Sequence, residues 1–362
     1  VASIRFENVT KEFDGLVAVD NLNLSIKDGE FYILLGPTGA GKTTSLRCLS
    51  GLDRKHDGKI FIDETEVSDW APANRDTAMV FQQYSLYPHY TVRQNLEFPL
   101  KSKIRKLSKA EIEQRVNYAA ETLKIGPLLE RKTDKLSGGE MQRVSIGRAI
   151  VRQPKAFLMD EPLSSLDAKL RESLRVELKR LQKELGATLL FVTHDQVEAM
   201  SMADRIGVIK EGRLLQSDTP FEVYNHPTSV YVARFVGSPK INLFDGIIEG
   251  GGLLIKGSEE RIQLEESLLA KLDGVTGDVI VGIRPEDVVV TPDATDNSGV
   301  AKVYVVEQMG MENLVSFRVD QFLFKASVDS AFEPAVHDKI HFSFIQDKLH
   351  FFEKKTEKNL IK

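Results

Sequence analysis

The stretch Gly36-Pro37-Thr38-Gly39-Ala40-Gly41-Lys42-Thr43-Thr44 constrains this chain more than any other. An apolar run, Phe31-Tyr32-Ile33-Leu34-Leu35, precedes it and reads as a buried strand. Ser45-Leu46-Arg47-Cys48-Leu49-Ser50 follows and reads as a helix ended by Gly51. Strand, glycine-rich turn and helix together form the context in which a loop wraps a phosphate chain. Glycines at 36, 39 and 41 let the backbone curl until several N–H groups converge, and the helix N-terminus adds partial positive charge. Lys42 then reaches the β- and γ-phosphates of a nucleotide. The Thr43 hydroxyl suits Mg²⁺, and Thr44 assists at the phosphate end.

Other predicted strands end in polar residues of matching chemistry. Thr77-Ala78-Met79-Val80-Phe81 reads as a buried strand ending in Gln82-Gln83. Ala156-Phe157-Leu158-Met159 runs into Asp160-Glu161. Asp160 would hold Mg²⁺, usually through water, and Glu161, one residue nearer the γ-phosphate, would polarise an attacking water. Ala187–Val192 runs into Thr193-His194-Asp195. Alone, His194 reads equally well as a structural residue. As the fourth polar strand end facing one pocket, it is assigned to the site, because open α/β sheets bind ligands at the carboxyl ends of their strands.

A second anion-ready stretch is Leu136-Ser137-Gly138-Gly139-Glu140-Met141-Gln142-Arg143. Ser137 caps a helix predicted from about Gly139 to Arg152, with Pro154 beyond its end. A cap alone needs only Ser137, so Gly138 and Gly139 imply that something approaches the backbone closely. Residues 92–132 carry helical spacing, with a capping box at Ser108–Glu111. Leu170, Leu174, Leu178, Leu181 and Leu185 form a core stripe on a helix that Gly186 ends. The aromatic loop Tyr84–Tyr90 reads either as local packing or as an exposed partner patch. Phe13, before the Asp14-Gly15 turn, reads by itself as core.

At 362 residues the chain has room for two to three domains, and 42% hydrophobic with 28% charged residues describes an ordinary globular protein. A net charge of −5 provides no basic footprint for nucleic acid. The single Cys48 excludes an internal disulfide and a cysteine-rich metal site, and reads as a buried, inert thiol. No apolar run approaches the ~20 residues of a membrane span. The N-terminus alternates like a strand rather than a signal peptide, so the expected location is cytosolic unless a partner brings the chain to a membrane. From Ile247 onward the pattern changes to short alternating runs at 279–283, 300–307, 313–319, 322–328, 339–345 and 348–352. They predict a small barrel or sandwich. Arg284-Pro285-Glu286-Asp287 reads as a turn, and the lysine-rich stretch 354–362 as a solvated tail.

Taken together these motifs resemble the ATPase subunits of ATP-binding-cassette importers, and in particular the maltose-type group, which takes up sugars, polyols and related solutes. Gly36–Thr43 is similar to the Walker A motif, Gln82 to the Q-loop glutamine and Leu136–Glu140 to the signature motif. Asp160 and Glu161 match the Walker B aspartate and catalytic glutamate, Ser164–Asp167 the D-loop, and His194 the switch histidine. Phe13 matches the aromatic that stacks on adenine, and Arg284-Pro285-Glu286 resembles a motif of the regulatory domain. Two departures stand out: Glu140 replaces the more frequent glutamine, and Thr38 and Ala40 replace commoner small residues.

The resemblance implies an α/β P-loop ATPase domain over residues 1–235, with a mixed sheet, helices and a helical subdomain at about 88–155. An all-β, OB-fold-like (TOBE-type) regulatory domain follows over 236–362. It implies ATP and Mg²⁺ as cofactors, with Thr43, Gln82 and Asp160 around the metal and Glu161, His194, Gln82 and Lys42 in catalysis. It also implies a homodimer in which Ser137, Gly138, Gly139 and Asp167 of one copy meet the nucleotide on the other. Two transmembrane permease subunits, and indirectly a solute-binding protein, would complete the system. The chain would then be peripheral on the cytoplasmic face of the inner membrane and bind no nucleic acid. The alternatives are a cassette ATPase acting on nucleic acid or ribosomes, and an importer for a non-sugar solute such as a polyamine.

Overall fold

The computed structural model describes residues 2–102, 106–295 and 297–361. Two compact units divide between Pro220 and Phe221, fifteen residues before the boundary that the resemblance implies. The helices at Pro220–Asn225 and Val230–Phe235 therefore go with the second unit.

The first unit begins with an antiparallel hairpin, β1 (Ile4–Phe13) and β2 (Leu16–Ile26), turning at Asp14-Gly15. After β3 (Phe31–Leu35) and α1 (Lys42–Ser50) come β4 (Asp57–Ile62), β5 (Thr65–Glu66) and β6 (Thr77–Val80). The stretch read as helical, 92–132, holds α2 (Val92–Glu97) and α3 (Lys109–Thr122) joined by short turns; its residues 103–105 lie outside the described residues. The predicted Ser108–Glu111 capping box is present. Then follow α4 (Gly138–Ile150), β7 (Ala156–Asp160), α5 (Ala168–Leu185), β8 (Thr188–Thr193), α6 (Gln196–Met202), β9 (Arg205–Lys210) and β10 (Arg213–Asp218).

The main sheet runs β10-β9-β3-β8-β7-β6, parallel except for β10, and a second sheet runs β2-β1-β4-β5. Strands β3, β7 and β8 are buried along their whole length, which is why each is a continuous apolar run. The predicted leucine stripe buries Leu174, Leu178 and Leu181 on one face of α5. Cys48 is buried and burial pushes its thiol up to about 12, so it stays protonated.

In the second unit, α7 (Pro220–Asn225) and α8 (Val230–Phe235) precede β11 (Asn242–Glu249), β12 (Gly252–Ile255), β13 (Arg261–Gln263) and the short α9 (Glu266–Lys271). β14 (Gly277–Ile283), β15 (Val288–Thr291), β16 (Gly299–Gln308), β17 (Glu312–Val319), β18 (Phe322–Asp329), β19 (Lys339–Phe344) and β20 (His350–Glu353) complete it. Two antiparallel five-stranded sheets, β13-β12-β11-β14-β20 and β15-β19-β16-β17-β18, enclose one core rich in phenylalanine. This is the β architecture that the alternating runs predict. The short helices, α9 among them, are too brief to leave a periodic signal.

The reading of 354–362 as a free tail is corrected as far as Ile361. The Lys354 ammonium meets Asp245, Asn359 bridges to Phe352, and Leu360 and Ile361 pack against the core. Two apolar residues at the very end outweigh the preceding lysines.

His350, on β20, is half-buried, and the loss of water around its ring lowers its pKa from 6.5 to about 4. Below pH 6.5 the unfolded chain takes up a proton that the folded chain refuses until about pH 4. Stability should therefore fall with falling pH across that window, by at most about 3 kcal/mol from this group, and be unaffected by it above the window. His350→Gln should flatten that decline in urea midpoints measured as a pH series. A decline of unchanged slope would refute the assignment.

Candidate active site

The parallel register brings the predicted strand ends to one edge. Gly36 N–H donates to the Thr193 carbonyl at 3.3 Å, and Glu161 N–H to the Val192 carbonyl at 3.0 Å. The loops after β3, β7 and β8 are thus tied side by side. Helix α1 starts in that edge without a side-chain cap, whereas α2, α3, α4, α5 and α6 are each capped by a Thr, Ser or Asp side chain. An uncapped helix start beneath a glycine loop is a place for an anion. Gly41 precedes it at φ +98, and a Cβ there would stand 2.3 Å from the Ala18 carbonyl oxygen. Only glycine satisfies both demands.

Lys42 is 4% exposed and its ammonium is fully engaged. It donates to the carbonyls of Gly36 and Pro37 at 2.9 and 3.0 Å and lies 3.4 Å from Glu161 Oε1. The other carboxylate oxygen of Glu161 is 3.0 Å from His194 Nδ1. Thr43 Oγ1 donates to Asp160 Oδ1 at 2.8 Å. Lys42, Thr43, Asp160, Glu161 and His194 therefore form one cluster at the strand ends. Burial raises the Asp160 pKa, an effect that the Thr43 hydrogen bond partly offsets. Glu161 sits at φ +44, a left-handed conformation that costs a non-glycine residue about 1–3 kcal/mol. The hydroxyl and N–H of Ser164 both donate to its carbonyl, at 2.9 and 3.2 Å, and hold that turn.

The turn carrying His194 is braced on both sides. Thr193 Oγ1 donates to buried Glu198 at 2.6 Å and accepts from the Asp195 N–H at 3.0 Å. Sequence reading missed Glu198, a carboxylate whose pKa burial raises. Its only sequence signal is an acidic residue in the first turn of the helix that begins at Gln196.

The other predicted residues lie outside this cluster. Gln82 donates to Ser164 Oγ at 3.4 Å. Asp167 caps α5 through Leu170 N–H at 3.0 Å. Ser137 caps α4 with a full capping box closed by Glu140. The close approach implied by the paired glycines occurs within the chain. A Cβ on Gly139 would stand 2.0 Å from a Leu170 methyl, and one on Gly138 would stand 3.1 Å from the Tyr84 hydroxyl. Phe13 is 42% exposed with Lys11 Nζ 4.4 Å from its ring centroid, so it is no core residue. An exposed ring on a β-hairpin is free to stack on a flat ligand.

Among the described residues, no cluster of three or more His, Cys, Asp or Glu could hold a metal. Mg²⁺ does not require one, because it binds through one or two protein oxygens, substrate phosphates and water. The Thr43 hydroxyl beside a buried Asp160 carboxylate is a hard oxygen pair of that kind.

Comparison with known proteins agrees with this geometry. Residues 19–164 match the ABC transporter family, 237–288 the MalK OB fold domain and 281–352 the TOBE domain. The chain is 46% identical, over 99% of both sequences, to the trehalose/maltose import ATP-binding protein MalK of Thermococcus litoralis. It is 44% identical, again over 99% of both, to the oligosaccharides import ATP-binding protein MsmX of Bacillus subtilis. The chain belongs to the ABC transporter family of import ATP-binding subunits. The sn-glycerol-3-phosphate import protein UgpC of Rhizobium meliloti is 43% identical over 98% of each chain. Among solved structures, a dimeric ATP-binding cassette in a post-hydrolysis state with ADP and Pi is 33% identical. It covers 60% of this chain and 98% of its own, with a TM-score of 0.53. This ABC subunit is accordingly an ATPase, a P-loop nucleotide-binding domain followed by an OB-fold regulatory domain.

The departure at Glu140 has a structural account. Its carboxylate accepts from the Ser137 N–H at 2.7 Å, and that bond is the main reason its pKa is lowered. Glutamine can make the same bond. Glu140→Gln should therefore leave the thermal midpoint nearly unchanged, whereas Glu140→Ala should cost about 1 kcal/mol, the scale of a lost cap interaction. Thermal unfolding of both variants checks this, and equal losses would contradict it.

Proposed function

We propose that two copies of this ATPase subunit close around ATP and drive uptake of a carbohydrate or related solute through separate membrane subunits. The observation that carries the reading is the cluster Lys42–Glu161–His194 beside the Thr43–Asp160 pair. Glu161 accepts a proton from the attacking water, and His194 holds the Glu161 carboxylate in place. Lys42 and the start of α1 take the phosphate charge, and Phe13 stacks on the adenine. Thr43, Asp160 and Gln82 would hold Mg²⁺, which would supply positive charge to the phosphates. Ser137, Gly138, Gly139 and Asp167 face the nucleotide on the other copy of the chain. The nucleotide-binding domain spans 1–235 and the regulatory domain 236–362.

Trehalose/maltose, oligosaccharides and glycerol 3-phosphate, in the relatives' names, make a carbohydrate the first candidate solute. Among the described residues no helix is long and apolar enough to cross a membrane. A peripheral position on the cytoplasmic face, held by two permease subunits, fits this.

Glu161→Gln should bind ATP normally and hydrolyse it about 10²–10³-fold more slowly. His194→Ala should also lose most turnover. Chelation of Mg²⁺ should stop wild-type hydrolysis, and added Mg²⁺ should restore it. Near-normal turnover of Glu161→Gln in the assembled transporter would overturn the assignment.

The surface for the membrane subunits is the loop after Gln82. Phe81, Tyr84, Tyr87, Phe98, Pro99 and Arg148 line a groove of about 200 Å³. Tyr87 packs at 4.4 Å, between ring centroids, against Phe98, and Arg148 lies 5.0 Å over its ring. Buried Asn95 anchors the loop, accepting from Tyr87 N–H at 2.9 Å and donating to its carbonyl at 3.2 Å. Exposed rings on a fixed loop suit a groove for a short partner helix. Leu86→Asp and Tyr87→Asp should leave ATP binding by the isolated subunit intact. Both should weaken assembly with the permeases or uncouple hydrolysis from uptake. Normal assembly and transport by both variants would exclude this surface.

A further inference from the structure

The second unit carries a groove of about 630 Å³ where β16 begins and β17 ends. Lys302 and Tyr304 project from β16, Arg318 and Asp320 from the end of β17 and its turn, and Glu260 and His337 stand at the rim. Lys302 and Arg318 are direct register partners across the two strands. The Arg318 guanidinium lies 4.6 Å from the centroid of the Tyr304 ring, which is 49% exposed.

The chemistry of the lining is mixed in a particular way. Among the described residues, neither Lys302 nor Arg318 forms an ion pair, and the Asp320 carboxylate accepts no hydrogen bond. Glu260 uses one oxygen to accept from the Val300 N–H at 3.1 Å, leaving the other available. Two cations and two carboxylates thus border one groove without neutralising each other.

An anionic ligand would gain from Lys302 and Arg318 but be repelled by Glu260 and Asp320. A cationic ligand meets the reverse problem. A neutral polyhydroxylated molecule uses all four, its hydroxyls donating to the carboxylates and accepting from the cations. One face of the Tyr304 ring lies under the Arg318 guanidinium, so the apolar contact for the C–H groups of a sugar comes from the rest of the ring and from Val300. The rim backbone is set in advance. Asp320 and His337 hold left-handed conformations at φ +48 and +74, and the His337 N–H donates to the Val303 carbonyl at 2.9 Å. Volume and lining fall in the range of small-molecule sites, a few placed polar groups around an apolar platform.

We propose that this groove is a second ligand site on the β domain, selective for a neutral sugar. It is separate from the nucleotide cluster, and it stands whether or not the transported solute is a carbohydrate. A ligand there gives the regulatory domain a means of sensing the sugar content of its surroundings.

The test is calorimetric titration of the full chain, without membrane subunits, with glucose, maltose, trehalose, glycerol 3-phosphate and inorganic phosphate in turn. At least one of the three sugars should bind at concentrations up to about 10 mM, a ceiling about tenfold above ordinary small-molecule affinities. Tyr304→Ala and Asp320→Asn should each weaken that binding by at least about tenfold, with ATP affinity unchanged. Both positions are on the surface; if Tyr304→Ala lowers the thermal midpoint, Asp320→Asn carries the comparison alone. Absence of any sugar signal overturns the proposal. So does sugar binding that survives substitution, or binding of the two phosphates in preference to the sugars. Because the readout is binding to the isolated chain, its failure is distinct from a failed uptake assay.

Discussion

Strands β6, β7, β8, β3 and β9 run parallel, and the rest of the first unit depends on that direction. Parallel strands all finish at the same edge, so one polar residue after each suffices to build a site. Here Gly36, Glu161 and His194 become neighbours although they are separated widely along the chain. The same edge receives the start of α1. Its partial positive charge and the Lys42 ammonium lie close to two carboxylates. A nearly buried ammonium is stable there because two backbone carbonyls and Glu161 replace its water. Asp160 has fewer such partners, and its raised pKa records the deficit. A cation beside Thr43 would remove it.

From that cluster, contiguous contacts lead toward the aromatic groove. Gln82 reaches Ser164 in the turn that holds Glu161, and the Tyr84 hydroxyl lies 3.1 Å from Ser165 Oγ while abutting Gly138. Arg148, on α4, donates to the Ser85 carbonyl at 2.5 Å. A shift in the Glu161 turn would therefore be felt by the loop and by α4 together.

Much of this was legible in the sequence where the signal is local. The glycine loop, the Ser108–Glu111 capping box, the Ser137 cap and the leucine stripe each depend on residues within a few positions of one another. The six alternating runs of the second unit correspond to strands β14, β16, β17, β18, β19 and β20. Illegible features depend on distant partners. Phe13 looks like core by type, yet its hairpin leaves it exposed. Gly139 gives no sign in sequence that its neighbour within the chain is Leu170, whose methyl a Cβ there would strike. The lysines of the last stretch conceal the docking of Leu360 and Ile361.

Arg284 shows the same principle at its strongest. As a sequence element it marks a turn, and the turn is present at Pro285–Asp287. Its side chain, 2% exposed, reaches the ends of α7 and α8. There it donates to the carbonyls of Tyr224, Val236 and Ala233, at 2.8, 2.5 and 3.3 Å, and lies 3.9 Å over the Tyr224 ring. Those carbonyls lie toward the C-terminal ends of α7 and α8, where the helix dipole favours a cation. Gly237, at φ +120, must lack a side chain, since a Cβ would stand 2.3 Å from the guanidinium. One buried cation thus fixes two short helices that are individually too brief to be stable. Lysine could not replace it, because one ammonium cannot span three carbonyls with a planar fork. The two short helices that open the second unit are thus tied together by a side chain about fifty to sixty positions later in the chain, beside the packing of Val230 and Ala233 on Ile241 and Phe352.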